Sequence, residues 1–420
     1  MKYFALLFVI FWLSASAFSQ DSLNIRRIGS VGLSRGFLNG VAVQGDYAFA
    51  GTGGDSTVEG LWVVDVSNPA HPDSAAFDTV STIWGALGIA VSDSLCAIAS
   101  AAGQVDLYDI RNPRLPEHLS NIGEGDGLVW DVALQGNYLY AVRYVPRGLF
   151  TANIADPRHP QLVGFLPFAD DPSGLCLAGD YAYVAASGGL HVVDVHDPAL
   201  PIEVAVVPDS DAIHVAVLDG YAYVTLFGGA FSVIDVSEPR AAHHVTYVIT
   251  HGYSDGIAAV GHHVMVPAGD EGLLVYDVTD PTQPVLSGYH RSAAWTGEVA
   301  MSGPYAFVTS YRRLDVYDCS AALDAADRGF VLHPSAFSLS CAPNPFNPVT
   351  TISFSLPKAS AVKVTVFDIS GRLVETLADQ RMNAGEHRLW MEGSMLPSGI
   401  YFVRLEAGEH TDTQKLLLIK

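Results

Sequence analysis

A stretch of about a dozen residues recurs seven times along the chain, and its period limits the fold more than any other feature. Clear copies are Gly-Leu-Trp-Val-Val-Asp-Val-Ser-Asn-Pro at 60–69, Gly-Leu-His-Val-Val-Asp-Val-His-Asp-Pro at 189–198 and Gly-Leu-Leu-Val-Tyr-Asp-Val-Thr-Asp-Pro at 272–281. The acidic or amide position falls at Asp65, Asp109, Asn153, Asp194, Asp235, Asp277 and Asp318, at intervals of 44, 44, 41, 41, 42 and 41 residues. Such a period means stacked supersecondary units, each too small to bury its own apolar face.

Each unit holds a second recurring piece, as in Gly40 to Ala50, Gly174 to Val184 and Glu298 to Val308. Two short alternating runs flank a tight Gly, Asp or Asn turn, which is hairpin chemistry. The Gly-Leu-x-Val-x-Asp-Val piece supplies a third strand, and a run after each Pro-x-x-Pro turn, such as 161–166 or 201–206, supplies a fourth. Four antiparallel strands in roughly 42 residues make the blade of a β-propeller. The expectation is an all-β chain: a seven-bladed β-propeller over 20–322, then a small immunoglobulin-like β-sandwich. The seventh unit lacks its fourth run, and residues 24–32 read like one. They are expected to complete the last blade, because an open ring leaves two bare sheet edges.

The Asp ending each third strand suits a turn, since its carboxylate accepts backbone N–H groups two residues on. Pro69, Pro113, Pro157, Pro198, Pro239 and Pro281 follow at one offset and stop the ladder. A metal role for these seven positions is the sharper alternative, and their spread around the ring argues against it.

At the N-terminus, Lys2, the apolar run Phe4 to Leu13 and Ala15-Ser16-Ala17 form a secretory signal peptide, expected at 1–19. No later segment reaches transmembrane length, so no transmembrane anchor is expected after cleavage. The net charge is −22, and all of it lies before residue 341, because the last 80 residues hold eight basic and eight acidic side chains. An acidic body repels phosphate backbones, which excludes nucleic acid as a partner. Cys96 and Cys176 read as buried thiols in strands. Cys319 and Cys341 flank the junction of the two domains, and bridged and free states are both open. No zinc spacing is present and no cofactor is expected.

The Val-Val-Asp-Val-Ser-Asn-Pro and Gly-Asp-Tyr-Ala-Tyr-Val types of motif, in phase from residue 24 to about 320, resemble the LVIVD-repeat propeller family. Unit seven departs, with Cys319-Ser320-Ala321-Ala322 where Pro belongs, and unit five has Ala242 for the second Pro. The resemblance implies a surface or secreted propeller and no particular reaction.

After a linker at 323–340 the texture changes. Residues 341–420 open on Pro343, Asn344, Pro345, Phe346, Asn347 and Pro348, and alternating strands follow at 351–356, 362–368 and 401–405. Gly371 and Arg372 sit in a hairpin, Gly399 and Tyr401 at the turn into a strand, and Lys415 to Lys420 close the chain. The module resembles the C-terminal sorting domain of type IX secretion substrates, of immunoglobulin-like fold. Cys341 stands where that opening more often has an aromatic residue. The resemblance implies the type IX machinery as partner, and a Gram-negative host with passage through periplasm and outer membrane. It further implies removal of the module and a secreted or outer cell-surface destination. A passive spacer is the bland alternative.

Nucleophile-elbow, phosphate-loop, His-Glu-x-x-His and EF-hand motifs are missing. His243-His244 and His262-His263 read as solvated turn residues. One constellation stands out. Where the innermost strand starts, four units have Gly (Gly40, Gly88, Gly174, Gly256), while units three, five and seven have Asp131, His214 and Glu298. In a propeller these converge on the central channel. Nearby loops carry Phe37, Trp84, Trp130, Tyr253 and Trp295, and loops on the same face add Tyr144, Arg147, Tyr311 and Arg312. Such a funnel suits a sugar or peptide. Its aromatics alternatively plug the channel. The leading expectation is a non-enzymatic binding or display protein engaging a glycan or protein through Asp131, His214, Glu298, Trp84, Trp130 and Trp295. The rivals are an extracellular hydrolase or lyase with an acidic site in that funnel, and a purely structural surface-layer protein. A carboxylate pair at glycosidase spacing favours the enzyme, and scattered polar residues favour binding.

Overall fold

The computed structural model describes residues 21–323 and 338–419, apart from 35, 54–59, 80–84, 124–126, 293, 343, 345, 357–359, 370, 383–384, 395 and 409. The expected signal segment at 1–19, Trp84, Pro343, Pro345 and positions 324–337 of the expected linker lie outside the described residues. The chain divides into two units, 1–330 and 331–420.

The described residues of the first unit are β-structure, with two single 3-10 turns at Pro239–Ala241 and Gly269–Glu271. Between Phe37 and Ile249, five successive groups of four strands each form one antiparallel sheet in chain order. A sixth sheet holds Ala258–Val260, His263–Pro267, Leu273–Asp277 and Val285–His290, and a seventh holds Val299–Ser302, Tyr305–Ser310 and Arg313–Asp318. The first strand of each sheet packs on the first strand of the next, and that of the seventh packs on Phe37–Gln44 of the first. The circuit is closed. In sheets six and seven the first strand starts beyond Gly256 and Glu298, later than the hairpin pattern puts it.

The core lies between the sheets. Leu38, Val41 and Trp62 of the first sheet share a cluster with Phe307, Leu314 and Val316 of the seventh. Ala97 and Leu107 of the second pack with Val132, Leu139 and Phe150 of the third. Second and third strands are covered on both faces, so Gly-Leu-His-Val-Val is buried throughout rather than alternating. Each such Leu or Val contributes about 1.5–3 kcal/mol by leaving water.

The repeated Asp does what its position predicts. In all seven units the side chain at Asp65, Asp109, Asn153, Asp194, Asp235, Asp277 or Asp318 accepts the backbone N–H two residues on, at 2.8–3.1 Å. A second regularity escapes the motif. Three residues before that Asp, the third strand pairs with a residue 12 positions later, on the fourth. Trp62 Nε1 donates to Ser74 Oγ at 2.9 Å, Asp106 meets His118 at 2.9 Å and His191 meets Glu203 at 2.6 Å. Asp106 and His191 are 2% and 3% exposed, and a buried polar group needs such a partner.

The N-terminal segment does more than fill the last sheet. Arg26–Gly32 pairs antiparallel with Arg313–Asp318. Ser22–Leu23 pairs instead with Val285–His290 and makes the sixth sheet five-stranded. Between them Asn24 adopts φ 57°, a left-handed conformation that Asn tolerates, and its amide donates to Ser287 O at 2.8 Å. Ile25 then drops into a core cluster with Cys319, Ala322 and Leu323.

Two expectations need correction, and the state of Cys319, left open by the sequence, is settled. Leu323 is buried and Ser338–Ala342 is a strand, so the structured units reach into both ends of the expected linker at 323–340. Cys319 is a free thiol, as are Cys96 and Cys176, and its sulfur packs in apolar surroundings rather than in a bridge. His263 is no solvated turn residue. It is 1% exposed and pairs with Asp277 across the sheet, where Tyr181 pairs with Asp194 and Tyr221 with Asp235.

The described residues of the second unit form two sheets. One joins Ser338–Ala342, Val349–Leu356 and Gly385–Glu392, and the other runs Leu373–Met382, Ser360–Asp368, Gly399–Ala407, His410–Leu418. Ile352 and Phe354 of one sheet share a core with Val364, Val403 and Leu416 of the other. The opening motif is laced to the last strand. Asn344 donates to Lys415 O at 2.6 Å and accepts Leu417 N–H at 2.9 Å, and Phe346 is buried. Asn347 and Pro348 are exposed beside it. At the hairpin, Gly371 N–H donates to Asp368 O and Arg372 Nε to Asp368 Oδ2. Tyr401 Oη donates to Pro397 O at 2.8 Å across the turn that holds Gly399.

Candidate functional site

Where each first strand meets its second, the register slips, in five of the sheets at Leu38/Val41, Ala86/Ile89, Val129/Asp131, Pro172/Gly174 and Ala212/Val215. Bulges re-aim side chains. These slips fall beside Gly40, Gly88, Asp131, Gly174 and His214, the positions singled out in the sequence.

Glycine makes room there for the neighbouring sheet's polar group. A Cβ on Gly88 would stand 2.4 Å from Asp131 Oδ1, and one on Gly256 would stand 2.6 Å from Glu298 Oε2. Gly88, Gly174 and Gly256 thus lie against Asp131, His214 and Glu298 of the following sheet, where a side chain needs a bare backbone beside it, while Gly40 packs on Leu87 and Ile89.

Asp131, His214, Glu298, Trp130 and Trp295 line one cavity of about 920 Å³. Phe37, Tyr144, Tyr253 and Tyr311 line it too. Arg147 and Arg312 do not. Their guanidinium groups lie over Tyr144 and Tyr311, at 5.7 and 5.2 Å from the ring centres, and Arg147 is ion-paired with Asp171. The aromatics form a run along the rim. Phe227 meets Tyr253 edge-on at 5.0 Å, and Tyr253 meets Trp295 at 5.2 Å. Trp130, Tyr144 and Trp295 keep 37–41% of their surface exposed.

The polar residues gather rather than scatter. His214 Nε2 stands 3.1 Å from Glu298 Oε1. Asp131 accepts the N–H groups of Val132 and Leu175 at 2.8 and 2.9 Å, the second from the next sheet. Enclosure by protein pushes the Asp131 carboxyl up to about 6, and the Glu298 charge adds to that rise, while His214 and the two N–H donors oppose it. Desolvation pushes Glu298 up to about 8, with Asp255 contributing. At neutral pH Glu298 is thus largely a neutral acid able to donate a proton or a hydrogen bond. Among the described residues no group of three or more His, Cys, Asp or Glu side chains is arranged to hold a metal ion.

Sequence reasoning missed Asp171, Asp211, Asp255 and Phe227, which also line the cavity. Three were findable. Asp171 and Asp211 precede Gly174 and His214 by three residues, as Tyr253 and Trp295 precede Gly256 and Glu298, and Asp255 takes the offset of Trp130. The signal was the offset, not the residue type.

Comparison with known families supports the repeat reading. The LVIVD repeat matches at residues 36–76, 126–165, 171–209, 209–243 and 251–290, and the secretion system C-terminal sorting domain matches at 340–420. The chain contains LVIVD repeats and ends in a secretion sorting domain. The LVIVD matches leave out the second and seventh sheets, and the seventh unit lacks the turn proline of the others. No curated protein matches the chain. Among solved structures, the WD40 beta propeller domain of Doa1 resembles this LVIVD-repeat protein with a TM-score of 0.55 and 10% identity, over 70% of this chain and 96% of that one. The computationally designed Ika8 protein does so with a TM-score of 0.52 and 10% identity, over 70% and 99%. At such identity the likeness speaks for fold alone, and that fold is a propeller. A sorting domain of this type marks the chain for export. No helix among the described residues is long and apolar enough to cross a membrane.

Proposed function

We propose that this LVIVD-repeat protein is a secreted or cell-surface binding module. It is a seven-bladed propeller with an immunoglobulin-like sorting domain, delivered by the type IX route, and it holds a glycan or a protein segment in its central funnel without transforming it. The observation that carries this reading is the cavity of about 920 Å³ with Trp130, Tyr144 and Trp295 at its rim and Asp131, His214 and Glu298 within. Rings left 37–41% exposed around a concave polar centre give a ligand flat apolar faces and hydrogen-bond partners together. A glycan and protein array probed with the full chain tests it. Loss of the captured ligand on Trp130→Ala or Trp295→Ala supports the funnel, and unchanged capture removes it.

The enzyme reading draws on the gathering of the polar residues, which a scattered binding surface would not show. Asp131, His214 and Glu298 share a cavity, and Glu298 is held as an acid up to about 8. That is the state a general acid needs for hydrolysis or elimination. Release of product from polysaccharide substrates, abolished by Glu298→Gln, would favour it over simple binding.

A further inference from the structure

Inside the cavity Glu298 acts on Asp131 and Asp255 acts on Glu298, while the imidazole of His214 stands 3.1 Å from Glu298 and opposes the rise at Asp131. Asp171 and Asp211 bring the acids lining the cavity to five, and the described lining has no lysine and no arginine. Arg147 and Arg312 lie on Tyr144 and Tyr311, two residues of the lining, and Arg147 is paired with Asp171. Enclosure favours the protonated forms of Asp131 and Glu298, and a cation placed between them would favour their carboxylates instead. Around this acidic centre stands a collar of ring faces, which favour cations and aliphatic stems alike.

Resting on the funnel reading above, we propose that the ligand is an organic cation: a primary ammonium group on an aliphatic stem, seated tip-first between Asp131 and Glu298 with the stem among Trp130, Tyr253 and Trp295. Anionic glycans are disfavoured by an acidic lining that holds no lysine and no arginine among the described residues. A neutral sugar would supply no such cation. The same chemistry has two sources, a free polyamine and a lysine side chain of a peptide.

Binding then moves protons. Glu298 faces His214, Asp255 and Asp131, and its raised pKa of about 8 means that it holds a proton at neutral pH. An incoming ammonium favours the carboxylate, so the complex forms with proton release and tightens as pH rises from 6 to 8.

Isothermal titration of the full chain with spermidine, with a lysine-containing hexapeptide and with the same peptide acetylated on lysine tests the proposal. The expected result is binding of at least one cation, at least about tenfold weakening on acetylation or in Glu298→Gln, and heats that depend on buffer ionisation. Asp131→Asn provides a second variant, and thermal melts confirm that both variants fold. Spermidine alone binding identifies the free amine as source; the peptide alone binding identifies the protein side chain. Equal binding of the acetylated peptide, affinity that falls between pH 6 and 8, or no binding of either cation overturns the proposal. If an array ligand sensitive to Trp130→Ala is still found, only the cation fails. If none is found, the funnel reading fails with it.

Discussion

Arg27 Nη1 stands 3.6 Å from Asp315 Oδ1, and Asp315 is fully buried while Arg27 comes from the strand that arrives from the other end of the ring. The pair occupies in the seventh sheet the place that Asp106–His118 and His191–Glu203 hold in the second and fourth. There the partner follows 12 residues later; here it comes from the N-terminal segment.

Arg27→Met should therefore leave a buried carboxylate with Arg313, at 3.4 Å, as its remaining cation. A loss of about 1–3 kcal/mol is expected, below that of a fully buried pair because Arg27 is 42% exposed. Arg26→Ala is the control. Its ion pair with Asp318 is mostly exposed and its removal should cost under about 0.5 kcal/mol. Urea unfolding midpoints decide, and equal losses would refute the role given to Asp315.

Glu298 sets a pH dependence of definite sign. Its proton is held more tightly folded than unfolded, so its stabilising contribution is complete below the ordinary value of 4.5 and lost as pH climbs through about 8. Asp131, raised from 3.8 to about 6, acts in the same direction over a lower window. Stability should fall by on the order of 1–4 kcal/mol between pH 5 and 8 from these two groups. Glu298→Gln should flatten the upper part of that fall. A variant profile parallel to the parent's would show that Glu298 titrates normally.

Gly256→Ala tests the close packing around the channel. The new Cβ would stand 2.6 Å from Glu298 Oε2 and 2.8 Å from Glu298 Cα, and the latter cannot swing away. Destabilisation of about 1–3 kcal/mol is expected, with the His214–Glu298 contact disturbed. Gly228→Ala, with nothing within 4 Å of its added Cβ, should stay within about 0.5 kcal/mol of the parent. Thermal melts of the two variants side by side give the answer.

The turn carboxylates should be replaceable by amides but not by methyl groups. Asp235 accepts Ser237 N–H at 2.9 Å and Ser237 Oγ–H at 2.6 Å. Asp235→Ala should lower stability by about 1–2 kcal/mol. Asp235→Asn should recover most of that, because Asn153 already caps its own turn through Ala155 N–H at 2.9 Å. Chemical denaturation of the two variants measures the difference.

How much of this was legible in the sequence depends on whether a residue repeats. The turn Asp, the hairpins and the positions of Asp131, His214 and Glu298 recur at one period, so strand identity and convergence could be read before any coordinates. Ser22–Leu23 could not, because two residues carry no periodicity and their place follows from the turn at Asn24. His263 was misread from its neighbour His262; aligned to the cross-strand partner of the turn Asp, it falls where other units have tyrosine. The twelve-residue pairs were hidden because their chemistry changes from unit to unit, from Trp62–Ser74 to His191–Glu203. Asp171, Asp211 and Asp255 were hidden among 44 acidic residues until the offset from the channel position singled them out.

Arg26 and Asp318 are 292 positions apart in the chain yet share one ladder. A ribosome delivers the first of them long before the second. Until then every intermediate is an arc with two raw ends, and its earliest-made strand has nothing to zip against. Ring assembly is thus a final event, and a polypeptide cut short anywhere before Asp318 is left with an adhesive seam instead of a sealed wheel.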